Sequence, residues 1–342
     1  MIALIAFTRR GCELGKTLAA ELGGTLYTTE RFSGEFGLLS CGSLQGWTKA
    51  RFLDSEALVF IGAAGIAVRA IAPFVKEKFS DPAIVSVDEM GRFAVPLLSG
   101  HVGGANALAR RVAAVTGGQA VISTATDVNA RFAVDVWAKE QNLVICEREA
   151  AKAVSAAILE GEAIGFDSAY PITGEMPEGL GAPDARVGIC IGSTAAQQLF
   201  DTTLHLVPKA VTLGVGCRRG TSQEQLQAAL DEFLRQNALP RAAICALASI
   251  DLKEDEPGLL ALAASNGWKT QFFSAEELAA EQGDFPASGF VARTTGVDNV
   301  CQRAAQRAGG DIIIQKTICR GVTFAAAMAR IMLHWVEQEN NE

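Results

Sequence analysis

The stretch Val87-Asp88-Glu89-Met90-Gly91-Arg92-Phe93-Ala94-Val95-Pro96-Leu97-Leu98-Ser99-Gly100-His101-Val102-Gly103-Gly104-Ala105-Asn106 decides the fold of the first part of this chain. It contains an acidic turn, an apolar strand and a glycine-rich loop, and a helical run follows at residues 107–115. Backbone N–H groups in such a loop point toward a ligand above it, and the dipole of the following helix favours an anion there. The pattern therefore predicts a strand–loop–helix unit with an anion-binding site.

Polar side chains within this stretch are candidates for chemistry. His101 is one of only three histidines in the chain, and it lies inside the loop. A lone histidine more often caps a helix or packs in a core, and an acidic pair in a hairpin turn is more often solvated. Here these side chains share one supersecondary unit, which favours a site. The candidates are Asp88, Glu89, Ser99, His101 and Asn106, together with the loop glycines Gly103 and Gly104.

A second glycine-rich loop, Gly62-Ala63-Ala64-Gly65, follows the apolar strand at residues 57–61. Ligands of α/β sheets bind at the carboxyl ends of strands, so Gly62 and Gly65 are candidate ligand contacts. The loop lacks the Gly-Lys-Ser/Thr ending of a P-loop and the third glycine of a dinucleotide fingerprint. Arg69, in the helix that follows, either binds a carboxylate or is solvated.

The run 211–221 begins another strand–loop–helix unit near the end of the chain. Adjacent arginines, Arg218 and Arg219, lie in this loop between Gly216 and Thr221. Guanidinium groups at a helix N-terminus suit a carboxylate or a phosphate, and the alternative is a solvated basic turn. Lys316, at the end of a later apolar strand, is a further candidate cation for an anionic ligand.

Length and composition limit the class of protein. At 342 residues the chain is too long for one ordinary domain. Hydrophobic residues make up 49% of it, glycine is abundant and aromatic residues are few, which is typical of α/β proteins with many short loops. The net charge of −8 argues against nucleic acid as a partner. A local basic patch still allows an anionic small molecule.

The eight cysteines are scattered, and neither a Cys-x-x-Cys pair nor a Cys/His cluster occurs, so we expect no zinc site. Reduced thiols in a cytoplasmic protein are the simplest interpretation. Cys217, beside the two arginines, is interpreted as a small packing residue. The apolar start at residues 1–7 is too short for a signal sequence and predicts a first strand. No apolar run has membrane-spanning length, so we expect no membrane partner.

The alternation of strands and helices predicts a multi-domain α/β protein. We expect an N-terminal α/β domain with glycine-rich loops at residues 1–128, a small middle α/β domain at 129–209 and a C-terminal α/β domain at 210–342. Helical periodicity predicts a final helix over 323–339, although residues 322–326 could instead continue as a strand.

Several of these motifs together resemble a known family. They are the runs Gly62–Arg69, Lys78–Ala83, Val87–Gly91, Leu98–Asn106 and Leu213–Gly220, and the pair Lys316-Thr317 with Gly321-Val322-Thr323. The chain is similar to the cobalt-precorrin-5A hydrolases of anaerobic cobalamin (vitamin B12) biosynthesis. The resemblance spans nearly the whole chain and is weakest at residues 130–205. Arg320 and the helix-favouring residues after Ala325 depart from the family pattern.

The resemblance implies hydrolysis of a δ-lactone on a ring-contracted cobalt tetrapyrrole, with release of acetaldehyde. It implies no cofactor, because the cobalt is carried by the substrate, and other enzymes of the pathway become possible partners. The substrate carries many carboxylates, which the cations Arg69, Arg218, Arg219 and Lys316 are suited to bind.

The catalytic roles are a hypothesis that the resemblance does not supply. We assign the general-base role to His101, because an imidazole exchanges protons near neutral pH. The N–H groups of residues 102–105 would stabilise the oxyanion. Asp88 or Glu89 would orient His101 or serve as the base instead.

Two other functions are compatible with the same residues. A non-catalytic carrier of a cobalamin intermediate would use the same loops without needing His101. An α/β protein that binds a phosphorylated metabolite at residues 62–69 would leave Arg218 and Arg219 without a role.

Overall fold

A computed structural model describes residues 1–76, 80–100, 103–125, 129, 131–286 and 296–335. The chain forms two compact units, Met1–Arg131 and Phe132–Glu342. Strands and helices alternate through both units, which confirms the predicted α/β class.

The first unit is built on a seven-stranded sheet in the order β3-β2-β1-β4-β5-β6-β7. The strands β3 to β5 of this order run parallel, β6 is antiparallel to β5, and β7 is parallel to β6. Its elements are β1 Ile2–Ala6, α1 Arg9–Leu22, β2 Thr25–Thr28, α2 Glu30–Phe36, β3 Leu39–Ser40, α3 Leu44–Asp54, β4 Ala57–Ile61, α4 Ala64–Ile71, β5 Ala83–Val87, β6 Phe93–Leu98, α5 Ala105–Thr116 and β7 Gln119–Ala120.

The order of the five parallel strands is that of a doubly wound α/β sheet. Strand β1 connects to β2 on one side, while β4 lies on its other side, so the order reverses between β1 and β4. Ligands of such sheets bind at this switch point, at the carboxyl ends of the strands. The fold therefore places the loops after β1 and β4 at the position where a ligand is expected.

Both faces of the central strands are covered, and their sequences are accordingly continuous apolar runs. All five residues of β4 are buried. Helix α1 approaches the sheet closely through glycine, because a Cβ atom on Gly15 would lie 2.8 Å from the Leu26 side chain. The sequence-predicted strands at residues 2–7 and 57–61 are confirmed.

The second unit contains a four-stranded sheet, β8-β12-β11-β9, and a five-stranded sheet, β15-β14-β13-β17-β16. Its elements are α6 Val134–Glu140, β8 Leu143–Ile145, α7 Arg148–Glu160, β9 Gly165–Ser168, β10 Ile172–Thr173, β11 Val187–Ile191, β12 Thr202–Pro208, β13 Val211–Gly216, α8 Gln223–Gln236, β14 Ile244–Ile250, α9 Pro257–Asn266, β15 Lys269–Phe273, α10 Ala275–Ala279, α11 Val300–Gly309, β16 Asp311–Cys319, β17 Val322–Met328 and β18 Leu333–His334.

The helix predicted over 323–339 is wrong for its described residues, 323–335, and residues 336–339 lie outside them. Residues 322–328 form strand β17, which pairs with β13 on one side and β16 on the other, as the strand alternative proposed. Ala325 and Ala327 are fully buried there against Cys301 and Ala305 of α11. Alanine favours a helix locally, but pairing on both edges and packing against α11 override that preference.

The chain beyond β17 packs into the core of the four-stranded sheet. Leu333 and Trp335 are buried among residues of that core. The Trp335 ring stacks on Trp137 with 4.6 Å between the ring centroids, and the Trp137 indole N–H donates to the His334 carbonyl at 2.8 Å. Residues 333–335 therefore pack on the four-stranded sheet, although the predicted C-terminal domain at 210–342 includes them.

Replacing Trp335 with alanine is expected to destabilise the second unit by about 3–5 kcal/mol, because it empties the centre of this aromatic cluster. Urea unfolding followed by circular dichroism measures the loss. The matched control is Met332→Ala, which truncates a side chain in the same segment that is 58% exposed and is expected to change stability by less than about 0.5 kcal/mol. Equal shifts for both variants would contradict the packing argument.

Candidate functional site

The switch point of the first unit collects three of the predicted binding residues. Gly62 follows β4 and Gly65 lies in the first turn of α4, and the N–H of Gly62 donates to the carbonyl of Val87 at 2.7 Å. A Cβ atom on Gly62 would lie 3.0 Å from the Phe7 ring, which follows β1. The exposed guanidinium of Arg69 folds back over the first turn of α4, with Nη1 3.6 Å from the position of a Cβ on Gly65. The prediction that these residues bind substrate remains a prediction.

The acidic pair follows β5 at the same edge of the sheet, but its two members have different surroundings. The Asp88 carboxylate accepts from the backbone N–H groups of Met90 at 2.8 Å and Phe93 at 2.7 Å. These contacts favour the turn-carboxylate alternative for Asp88. The Glu89 carboxylate accepts from the Thr8 hydroxyl at 2.8 Å, and Thr8 in turn caps α1 by accepting from the Gly11 N–H.

Thr8 is a residue that the sequence analysis missed. Its position between an apolar strand and a helix is a signal for an N-cap. Nothing in the sequence indicates its contact with Glu89, which depends on the order of the strands.

The glycine-rich loop lies at the opposite edge of the sheet. Strand β6 is antiparallel to β5, so Val87 lies opposite Ala94 and Ile84 lies opposite Leu98. Ser99 therefore follows β6 beside the beginning of β5, whereas Asp88 and Glu89 follow the end of β5. Strands of five and six residues separate these two edges by about 17–20 Å. The structure does not bring the acidic pair to the described part of the loop, contrary to the expectation that Asp88 or Glu89 acts within it.

Ser99 and Asn106 hold the described part of this loop together. The buried Ser99 hydroxyl donates to the Asp81 carbonyl at 2.9 Å, and the Asn106 amide donates to the Thr124 hydroxyl at 2.8 Å. A Cβ atom on Gly103 would lie 2.1 Å from the Ser99 Cβ, so glycine is required there. Gly104 precedes α5 with a φ of 89°, in the region that favours glycine. His101 and Val102 lie outside the described residues.

The predicted oxyanion donors need one correction. The N–H of Ala105 donates to the Ser99 carbonyl at 3.1 Å, and the N–H of Asn106 donates to the Gly100 carbonyl at 2.9 Å. A donor already bonded to a carbonyl is not available to a developing oxyanion. Of the described residues in the predicted range 102–105, this leaves the N–H groups of Gly103 and Gly104 as candidates.

In the second unit, the predicted loop connects β13 to α8 as expected. Ser222 and Gln225 form a capping box at the start of α8. The Thr323 hydroxyl donates to the Gly216 carbonyl at 3.0 Å, and a Cβ on Gly216 would lie 2.5 Å from that hydroxyl oxygen. The Thr221 hydroxyl donates to the Arg218 carbonyl at 2.7 Å. Both Gly216 and Thr221 therefore shape the loop.

A buried ion pair between Lys253 and Glu256 stabilises the backbone of this loop. The Glu256 carboxylate, which is 2% exposed, accepts from the Gly220 N–H at 2.7 Å and lies 3.2 Å from the Lys253 ammonium. Burial raises the pKa of the nearby Cys217 thiol, against the opposing effect of Lys253. The thiol is thus kept protonated, which supports the packing interpretation of Cys217. Lys253 and Glu256 were missed because they lie in another connection, after β14.

The structure separates the predicted cations of this unit. Arg219 pairs with Asp255 at 2.5 Å and donates to the Leu252 carbonyl at 3.0 Å, so it braces the loop. Arg218 is exposed and lines a cleft of about 560 Å³ beside α8. Lys316 does not line that cleft; its charge acts on the buried Cys301 thiol of α11, where burial is the larger effect and raises the pKa.

Two features are absent from the part of the chain that the structure describes. No cluster of three His, Cys, Asp or Glu side chains there could hold a metal ion. No helix there is both long and apolar enough to cross a bilayer.

The fold and these loops define a class: an α/β protein that presents glycine-rich and cationic loops at the ends of its strands, where small anionic molecules bind. Family models match along the chain, namely Cobalamin synthesis G N-terminal at 46–127, Cobalamin biosynthesis central region at 132–208 and Cobalamin synthesis G C-terminus at 211–327. The chain is 36% identical to the cobalt-precorrin-5A hydrolase of Salmonella typhimurium over 96% of this chain and 97% of that protein. It belongs to the cobalt-precorrin-5A hydrolase family, which confirms the resemblance seen in the motifs.

Two other proteins are also similar. The cobalt-precorrin-5A hydrolase of Priestia megaterium is 29% identical over 90% of this chain and 89% of that protein. The crystal structure of a cobalamin biosynthesis protein G homolog from Sulfolobus solfataricus aligns over 95% of this chain and 96% of that chain, with 22% identity and a TM-score of 0.41.

Proposed function

We propose that this protein is a cobalt-precorrin-5A hydrolase. It opens the δ-lactone of the ring-contracted cobalt tetrapyrrole and releases acetaldehyde, which leaves cobalt-precorrin-5B. The observation that carries this proposal is the 36% identity to a protein of that name over 96% of the chain. The product would pass to other enzymes of cobalamin biosynthesis in the cytoplasm.

The chemistry proceeds in two balanced steps. Water adds to the lactone carbonyl as the general base takes one of its protons, and the acyl C–O bond breaks to give a carboxylic acid and an alkoxide. The alkoxide carbon then becomes the carbonyl carbon of acetaldehyde, which is released as the C–C bond between that carbon and the macrocycle breaks. The electron pair passes into the conjugated, cobalt-containing macrocycle, which takes up a proton. The reaction is therefore a hydrolytic carbon–carbon cleavage, and it needs no cofactor beyond the cobalt that the substrate brings.

Several residues of this chain are candidates for roles in these two steps. His101 is our candidate base for activating water. The N–H groups of Gly103 and Gly104, which immediately precede α5, are candidates for stabilising the oxyanion, an interaction whose loss typically costs about 3–4 kcal/mol. Arg218 in the second unit is a candidate partner for a substrate carboxylate. Arg69 is a candidate of the same kind at the switch point of the first unit, at the edge opposite to the described part of the glycine-rich loop.

The test of this function is acetaldehyde release. Purified protein is incubated with cobalt-precorrin-5A, and acetaldehyde is measured by coupling to NADH oxidation with alcohol dehydrogenase. We expect one acetaldehyde for each lactone consumed. Tight binding of the substrate without release would favour the carrier alternative. Neither binding nor release would refute the proposal.

A further inference from the structure

We propose that Arg218 and Arg320 form a two-guanidinium clamp for carboxylates in the cleft beside α8. The clamp rests on the proposed function insofar as its natural ligand would be the polycarboxylate tetrapyrrole. The sequence suggests the adjacent pair Arg218 and Arg219. The two arginines of the clamp instead lie far apart in the chain.

The cleft has the size and lining of a small-molecule site. Its volume of about 560 Å³ lies within the range of ligand pockets, roughly 300–1,000 Å³. Arg218 and Arg320 contribute the positive charge, and Thr221 and Gln225 add polar groups. Ala228 and the largely buried Val322 supply the apolar part of the lining. A tetrapyrrole periphery, with carboxylates on an apolar ring, has the matching chemistry.

Arg320 is held in place by the backbone and by one side chain. Arg320 and Gly321 have φ angles of 50° and 81°, so they form the tight hairpin turn between β16 and β17. The Nε of Arg320 donates to the Glu232 carboxylate of α8 at 3.0 Å. Within the described ranges, no second acidic side chain forms an ion pair with Arg320. Its terminal nitrogens remain suited to a bidentate carboxylate.

Hydrogen bonds to its backbone stabilise the loop that carries Arg218. The Thr221 hydroxyl donates to the Arg218 carbonyl, and the Glu256 carboxylate accepts from the N–H of Gly220. Arg219 forms an exposed ion pair with Asp255. Among the residues that the structure describes, Arg218 forms no ion pair. Because the backbone of its loop is already held, only the Arg218 side chain has to be ordered when an anion binds.

One carboxylate of the protein opposes the clamp. Glu224 also lines the cleft, and hydrogen bonds from its own backbone N–H and from Ser222 lower its pKa, so it stays ionised. It would repel the carboxylates of a ligand. We therefore expect Glu224→Gln to tighten binding of an anionic ligand, whereas loss of either arginine weakens it.

The experiment measures binding of uroporphyrin, a polycarboxylate tetrapyrrole that has no lactone, by quenching of its fluorescence. We expect Arg218→Met and Arg320→Met each to raise Kd by about 10- to 100-fold, the effect of removing a charge-assisted contact. Arg320→Lys should retain part of the affinity, since it keeps the charge but not the fork. The matched control is Arg330→Met, which removes an arginine that is exposed at the far end of β17 and pairs with Asp311.

The outcomes separate the clamp from the proposed function. An unchanged Kd in Arg218→Met and Arg320→Met, with unfolding temperatures equal to that of the wild type, would overturn the clamp. An equal loss in Arg330→Met would do the same, because it would show nonspecific attraction. Arginine-dependent uroporphyrin binding without acetaldehyde release from cobalt-precorrin-5A would leave the clamp standing and refute the hydrolase. Failure of the wild type to bind uroporphyrin would refute the clamp even if acetaldehyde is released.

Discussion

Replacing His101 with alanine is expected to slow acetaldehyde release by at least ~100-fold, the contribution of a positioned general base. Among the loop residues near it, Ser99 donates its hydroxyl to the Asp81 carbonyl, and Gly103 lies where a Cβ atom would clash with Ser99. The rate is measured in single turnover, so that product release does not mask the chemical step. The matched control is His334→Ala, whose side chain is exposed and bonds to Thr173; we expect it to keep the wild-type rate.

A near-normal rate for His101→Ala would remove the base role from this residue. Asp88 and Glu89 would then be the remaining candidates for the general base, and their different contacts distinguish them. Asp88→Asn would weaken the β5–β6 turn, because both carboxylate oxygens accept from backbone N–H groups, and its effect would appear as lost stability. Glu89→Gln leaves that turn intact and changes only a side chain beside Thr8 at the switch point. A rate loss in Glu89→Gln without a stability loss would therefore move the chemistry to that edge.

Replacing Gly214 with alanine is expected to destabilise the second unit by more than about 4 kcal/mol, and to prevent folding if the unit is only marginally stable. The added Cβ would lie 1.8 Å from the carbonyl oxygen of Cys301 and 2.8 Å from the Ala305 Cβ. Both belong to α11, which packs directly on β13, so the helix would have to move away from the sheet. Urea unfolding followed by circular dichroism measures the change.

The control for this prediction is Gly192→Ala in the same unit. Its added Cβ would have its nearest neighbour at 3.4 Å, an ordinary contact, so we expect a stability change of less than about 1 kcal/mol. A shift for Gly214→Ala as small as that of Gly192→Ala would show that α11 can relax, and would refute the claim that glycine is required on β13.

Local patterns predicted the elements whose signals lie within a few residues. The strand at 211–216, the loop with its arginines and the helix after that loop are present as predicted, because the strand and loop signals agree there. The prediction failed at residues 322–328, where the local preference of alanine for a helix opposed the pairing available from β13 and β16.

The site shows the same division between local and long-range information. The sequence pointed to Arg218 and Arg219 as a pair because they are adjacent, whereas the structure uses Arg219 as a brace on Asp255. It also grouped Glu89 with the glycine-rich loop because few residues separate them. The hairpin instead sends Glu89 to the edge with Thr8 and the loop to the other edge.

By itself the sequence determined the α/β class, the family, the glycine-rich and cationic loops and the helix α8, because each depends on residue types at short spacings. Only the tertiary structure decided which of those loops share an edge of a sheet and which arginines face a cleft. The physical reason is that strand order and direction are set by burial and pairing across the whole unit. Residues as distant as Arg218 and Arg320 thereby become neighbours in one lining, while Asp88 and Ser99, joined by one strand, lie at its opposite ends.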